Sequence, residues 1–97
     1  MFGLDPKTIQ RIREALRRYP EIEKAEIFGS RALNTHRPNS DIDLALWGRR
    51  LDGRLVDRVK SDLDEIPVPY KFDVVSHDLI EHRHMRKHID QHGKAIY

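Results

Sequence analysis

FGSRALNTHRPNSDIDL, residues Phe28–Leu44, is the most informative segment of this chain. Near its end, Asp41 and Asp43 lie two positions apart in an otherwise apolar run. Side chains at i and i+2 of a β-strand point to the same face, so a strand here brings both carboxylates together and turns Ile42 toward a core. Two carboxylates that close resist joint ionisation unless a cation binds them, and Mg²⁺ prefers oxygen ligands. The spacing therefore predicts a metal site.

A third carboxylate lies in a second β-rich run, Tyr70–Val75. Phe72 and Val74 share one face of the predicted strand, so Asp73 faces the other way. The alternative is an exposed strand residue without a role. If the two strands are neighbours, three carboxylates meet, and they can hold two ions roughly 3.5 to 4 Å apart that assist an in-line displacement. This pattern indicates phosphoryl or nucleotidyl transfer.

The beginning of the first segment predicts a phosphate-binding turn. Ala25–Phe28 has the pattern of a short strand, and a short helix is expected to begin near Ala32. Gly29 permits close backbone approach, and free amides at the helix start, with the Ser30 hydroxyl and the helix dipole, make a cradle for phosphate oxygens. A simple turn is the alternative for this pair. Arg31 either adds positive charge to the cradle or is a solvated surface residue.

Together these motifs resemble the nucleotidyltransferase superfamily of DNA polymerase beta type. Its signature is a Gly-Ser turn followed, after about ten residues, by Asp-x-Asp, and here ten residues separate Ser30 from Asp41. The chain is most similar to the minimal nucleotidyltransferases, over nearly its whole length, including a late third Asp and a short apolar tail such as Gly93–Tyr97. No motif position departs from the pattern.

The resemblance implies a Mg²⁺-dependent enzyme, with two ions, that transfers AMP from ATP. The partner it implies is a helical RNA-cutting toxin of the HEPN type, which the minimal nucleotidyltransferase, as antitoxin, modifies on a tyrosine hydroxyl. The catalytic and metal-binding residues are then Asp41, Asp43 and Asp73. The nucleotide-binding residues are Gly29, Ser30, Arg31 and Ser40.

Length and composition predict one domain over residues 1–97, large enough for one core and too small for two. Eighteen Lys and Arg against 16 Asp and Glu give a net charge of +2, which is well short of a nucleic-acid-binding tail. The absence of cysteine excludes disulfides and thiolate metal sites. With no signal peptide and no apolar run of membrane-spanning length, we expect a cytoplasmic protein.

The apolar periodicity predicts the order α-β-α-β-α-β-α and an α+β fold, with a small mixed sheet of about three strands flanked by helices. Asp5 and Pro6 predict the start of the first helix, and Pro20 its end. A later helix is predicted to begin near Asp52 and to stop before Pro67.

The last helix is predicted from about Asp78 to His92, with a thin apolar stripe formed by Leu79, Met85 and Ile89. Its histidines repeat at i, i+4 and i+8, at positions 84, 88 and 92. This spacing suits metal ligands, but no His-Glu-x-x-His arrangement accompanies it. A basic, mostly exposed helix face is the favoured interpretation, with zinc binding or partner contact as alternatives.

Two other classes of function are alternatives to the enzyme. In one, the protein is a passive antitoxin that neutralises its partner by binding alone, which a complete acidic triad argues against. In the other, the basic last helix binds nucleic acid, but it lacks the interleaved aromatic residues used for base stacking. We therefore expect ATP and a protein partner, and no nucleic-acid or membrane ligand.

Overall fold

The computed structural model describes residues 1–97 as three helices and a mixed four-stranded sheet. The elements in chain order are α1 (Pro6–Arg17), β1 (Lys24–Phe28), β2 (Ile42–Trp47), α2 (Gly53–Asp64), β3 (Phe72–Ser76), α3 (Arg83–His92) and β4 (Lys94–Ala95). The strand order across the sheet is β3-β2-β1-β4. β2 and β3 are parallel, and the other two pairs are antiparallel. The α+β class is as predicted. No helix is both long and apolar enough to span a membrane.

The two predicted helix starts are confirmed by their caps. The Asp5 side chain accepts a hydrogen bond from the Thr8 amide at 2.7 Å, and that of Asp52 accepts one from the Leu55 amide at 2.8 Å. Each bond satisfies an amide that has no partner within its own helix. α1 ends at Arg17, before the predicted stop at Pro20.

The two faces of the sheet are covered unequally. A cluster of 20 buried residues fills the space between one face and the helices α1 and α2, and β2 contributes Ile42, Leu44 and Leu46 to it. The opposite face carries a cluster of only three buried residues, Phe28, Ala45 and Ile89. Asp43 has the same strand parity as Ala45, so its carboxylate lies on the thinly covered face, as the alternation predicted.

The last helix differs from its predicted form. It begins at Arg83 rather than near Asp78, and His77–Leu79 form one separate turn of 3₁₀-helix. Ile80 is extended after that turn, which interrupts the helical path. Ile89 is the only predicted apolar position on this element that is buried, while Leu79 and Met85 are exposed. The buried apolar stripe of the last helix is therefore reduced to Ile89.

The fourth strand was not predicted. Ala95 pairs with Glu26 of β1, and the buried Ile96 follows at once. The carbonyl of Ile96 accepts a hydrogen bond from Nε of Arg13 at 2.7 Å, which joins the tail to α1. The apolar tail thus completes both the sheet and the larger core.

Candidate active site

The three carboxylates meet at one end of the two parallel strands. Asp43 of β2 and Asp73 of β3 are direct register partners, and Asp41 lies one residue before β2 begins. Asp41 and Asp73 are exposed, whereas Asp43 is half-buried. The strand pairing inferred from the sequence is therefore present. The catalytic and metal-binding roles assigned to these residues stay predictions.

Asp43 has the most strongly perturbed carboxyl group of the site. Its pKa is raised from 3.8 to about 6, chiefly by burial and then by the negative charges of Asp73 and Asp41, while Arg31 opposes the shift. A carboxyl group held among like charges is stabilised by any cation that binds there. The electrostatics of the site thus favour a positive ligand.

The metal interpretation can be tested against the arrangement of these groups. Oxygen donors and a concentrated negative charge suit Mg²⁺. No set of three or more His, Asp or Glu side chains is yet arranged so as to hold an ion. Asp41 and Asp73 are exposed, and the donor set would fit the ion if their carboxylates turned toward Asp43.

The phosphate-binding turn is shorter than predicted. Gly29–Arg31 form a single turn of 3₁₀-helix, and no regular helix follows from Ala32. Because one turn aligns few peptide dipoles, the predicted contribution of a helix dipole is small here. The turn lies against the triad, since Phe28 is the register partner of Asp43.

Gly29 is required at this position for two reasons. Its φ of +75° lies in the left-handed region, which disfavours side chains. A Cβ atom added to it would also collide with the carboxylate of Asp43. The close approach predicted for Gly29 is therefore an approach to the triad itself.

The backbone amide of Gly29 is not free, contrary to the predicted cradle. It donates a hydrogen bond to Nε2 of His88 on α3, at an N···N distance of 2.9 Å. His88 is one of the three regularly spaced histidines of the last helix, but its contact with the Gly-Ser turn was not predicted. The repeat of three histidines was visible, but only the docking of α3 shows which of them faces the turn.

Arg31 binds the backbone of Ser40 and is not a solvated surface residue. The guanidinium of Arg31 is buried and donates to the carbonyls of Ser40, Phe2 and Pro38, with shortest distances of 2.9, 2.9 and 3.5 Å. Its face stacks on Tyr70 at 4.7 Å. The hydroxyl of Ser40 accepts from the Arg37 amide at 2.8 Å. These contacts hold the loop before Asp41, and nucleotide contact by either side chain stays a prediction.

An open depression lies on the β3 side of the triad. Asp41 and Asp73 line it together with two lysines, Lys60 and Lys71. Lys60 is bonded to Asp64 at 2.8 Å, and this hydrogen bond is the main reason that its pKa is raised. The depression therefore places two ammonium groups beside the triad, and one of them is paired with Asp64. Neither lysine was predicted to be a site residue.

A carboxylate triad beside a Gly-Ser turn, on a mixed sheet backed by two helices, defines the nucleotidyltransferase class. The family model described as "Polymerase beta, Nucleotidyltransferase" matches residues 10–97. This chain belongs to that family, and the resemblance found in its motifs is confirmed. No curated protein sequence matches the chain.

Among solved structures, the chain is similar to chains of toxin-antitoxin complexes. A toxin-antitoxin structure with AMP-PNP is 25% identical over 92% of this chain and 72% of that chain, with a TM-score of 0.69. The MntA-HepT complex is 20% identical over 96% and 72%, with a TM-score of 0.73. A tri-AMPylated HEPN toxin with an MNT antitoxin, from Shewanella oneidensis, is 22% identical over 94% and 70%, with a TM-score of 0.63. The latter two likenesses establish the fold alone.

Proposed function

We propose that this chain is an antitoxin that transfers AMP from ATP to a hydroxyl group of a HEPN-type partner. One observation carries the proposal: Asp43 is the register partner of both Asp73 and Phe28, so the triad and the Gly-Ser turn lie side by side. Nucleotidyl transfer requires this juxtaposition, because the turn must hold the leaving phosphates while carboxylates face the reacting phosphorus.

The residues take separate roles in the proposed reaction. The Ser30 hydroxyl and the backbone that follows Gly29 hold the β- and γ-phosphates, and Asp41 and Asp43 supply oxygen ligands for Mg²⁺. When bound, Mg²⁺ neutralises charge on the phosphates and polarises the reacting phosphoryl group. Asp73, which is exposed, aligns the acceptor hydroxyl. The acceptor hydroxyl gives its proton to the carboxylate of Asp73, a bond forms between the acceptor oxygen and the α-phosphorus, the bond from that phosphorus to the oxygen of the β-phosphate breaks, and pyrophosphate leaves.

The comparisons support the choice of nucleotide and partner. A related structure contains AMP-PNP, and another contains an AMPylated HEPN toxin in complex with an MNT antitoxin. From these we infer ATP as the donor and a HEPN-type protein as the acceptor for this chain. A tyrosine hydroxyl as the modified group follows from the family resemblance.

The proposal is tested with labelled ATP, Mg²⁺, the purified chain and a HEPN-type protein as the acceptor. We expect label on the partner, abolished by EDTA and by Asp41→Asn. Asp41 is exposed, so this substitution should leave the fold intact. Asp57→Asn, on the exposed surface of α2, is the matched control and should transfer label normally. Transfer that survives Asp41→Asn would contradict the mechanism. Neutralisation of the partner without any label would support the passive antitoxin.

A further inference from the structure

α3 contacts the rest of the chain through one buried apolar side chain and a few polar groups. Ile89 is its only buried side chain. Arg86 donates to the carbonyl of His77 at 3.1 Å, and His77 Nε2 lies 2.7 Å from Asp90 Oδ1. The remaining polar contact joins His88 to the amide of Gly29. His88 is thus the point at which α3 contacts the Gly-Ser turn.

The His88 contact is directional and restrained. Its Nε2 accepts the hydrogen bond of the Gly29 amide, and this contact uses the lone pair of that nitrogen. The ring also packs edge-to-face against Phe28, with centroids 6.2 Å apart and an interplanar angle of 69°. Two contacts therefore fix the imidazole, one to the end of β1 and one to the first residue of the turn.

His88 contacts Gly29, which has no side chain to restrict its backbone conformation. Glycine has the widest range of backbone conformations, and Gly29 must adopt a left-handed one while lying against Asp43. An amide left without an acceptor in this half-buried position would favour other orientations of the turn. The hydrogen bond that the Gly29 amide donates to His88 selects one orientation.

We propose that His88 is a positioning residue of the nucleotide site. It keeps the Gly29–Arg31 turn in the orientation that presents the Ser30 hydroxyl and the neighbouring backbone to the phosphates of ATP. His88 acts through Gly29 and does not touch the reacting atoms. The inference rests on the proposed function, because it assigns His88 to the phosphate-binding part of that same site.

Three variants of the full chain test this role. His88→Leu fills similar space but cannot accept the hydrogen bond. His88→Gln places a carbonyl oxygen about as far from Cβ as Nε2, so it restores an acceptor. His84→Leu, on an exposed position one helical turn earlier, is the matched control. The readouts are the affinity for ATP with Mg²⁺ by calorimetry, exchange of the Gly29 amide by NMR, and the melting temperature.

We expect His88→Leu to bind ATP about tenfold more weakly and to lose exchange protection at Gly29. His88→Gln should recover most of the affinity, and His84→Leu should match the wild type. A lower melting temperature with unchanged ATP affinity in His88→Leu would show a merely structural role and overturn the proposal. Equal weakening in His88→Leu and His88→Gln would overturn it as well. A wild-type chain that fails to bind ATP would instead refute the proposed function, and this role with it.

Discussion

The ionised carboxylate of Asp43 is unfavourable in the folded protein. Its carboxyl group is half-buried and shares the end of the sheet with Asp41 and Asp73. Its pKa is about 6 in the folded protein, against an ordinary value of 3.8. Below about pH 4 the group is protonated in both states. As pH rises through 6 the folded protein must ionise it, so the stability that protonation provides is lost.

We therefore predict that Asp43→Asn is more stable than the wild type at pH 8 without metal. The expected gain is about 1 to 2 kcal/mol, reduced from the full linkage value because solvent screens a half-exposed group. The gain should disappear near pH 4. Urea unfolding in EDTA at pH 4, 6 and 8 measures it, with Asp57→Asn as the control. Mg²⁺ should stabilise the wild type and not Asp43→Asn, and a gain that does not change with pH would contradict the assignment.

Gly29 shows how a backbone position can be essential without contributing a side chain. Gly29→Ala places a methyl group against Asp43 and forces a left-handed φ on alanine, so we predict a loss of about 2 to 4 kcal/mol in stability and loss of transfer. Gly53→Ala is the matched control, because no atom lies within 4 Å of the added Cβ in the first turn of α2. Gly53→Ala should be neutral or stabilise by up to about 1 kcal/mol. Thermal unfolding of both variants decides this, and similar melting temperatures would contradict it.

Among the connecting elements, the loop between β1 and β2 determines where Asp41 lies. Arg31 fastens this loop, because its guanidinium binds the carbonyl of Ser40, the residue immediately before Asp41. The same side chain reaches the carbonyl of Phe2 near the N-terminus. One planar cation therefore connects the two ends of the loop with the N-terminal segment. Lysine cannot reproduce such a fork of donors.

Arg31→Lys separates the two roles considered for this residue. If the guanidinium holds the loop in place, we expect the free energy of unfolding to fall by about 2 to 3 kcal/mol, because buried carbonyl groups lose their hydrogen-bond donors. Chemical denaturation measures this loss, and Arg37→Lys, an exposed position in the same loop, is the control. Unchanged stability with weaker ATP binding would instead support the predicted phosphate contact.

The molecule as a whole has the dimensions of one small domain. Its radius of gyration is 12.4 Å, close to the roughly 12.5 Å typical of a compact chain of this length. The two core clusters lie on opposite faces of the same strands, β1 and β2. Because both clusters pack on the same two strands, unfolding of these strands exposes both clusters. We therefore expect the predicted single domain to unfold as a unit.

We predict that circular dichroism and Trp47 fluorescence give coincident urea transitions. Circular dichroism reports mainly on the helices, whereas Trp47 stacks on His77 at 4.7 Å on the face that α3 covers. Measurement at two protein concentrations is the control that excludes coupled dissociation. A fluorescence transition at lower urea would show that α3 separates first, and would contradict a single cooperative unit.

The sequence determined the features that depend on neighbouring residues. A helix cap involves residues three positions apart, so the caps Asp5 and Asp52 could be recognised from the sequence. Strand alternation repeats every two positions, so the face on which Asp43 and Asp73 lie could be recognised as well. The short strand β4 was not, because a two-residue strand has no periodicity.

Tertiary structure alone decided which distant groups meet. His88 and Gly29 are 59 positions apart, and Arg31 reaches Phe2 across 29, so no local pattern specifies either contact. Both contacts depend on how helices and loops dock on the sheet, which is set by the summed packing of the core. The kind of chemistry was therefore encoded locally, whereas the residues that hold the site in place were specified only by the complete fold.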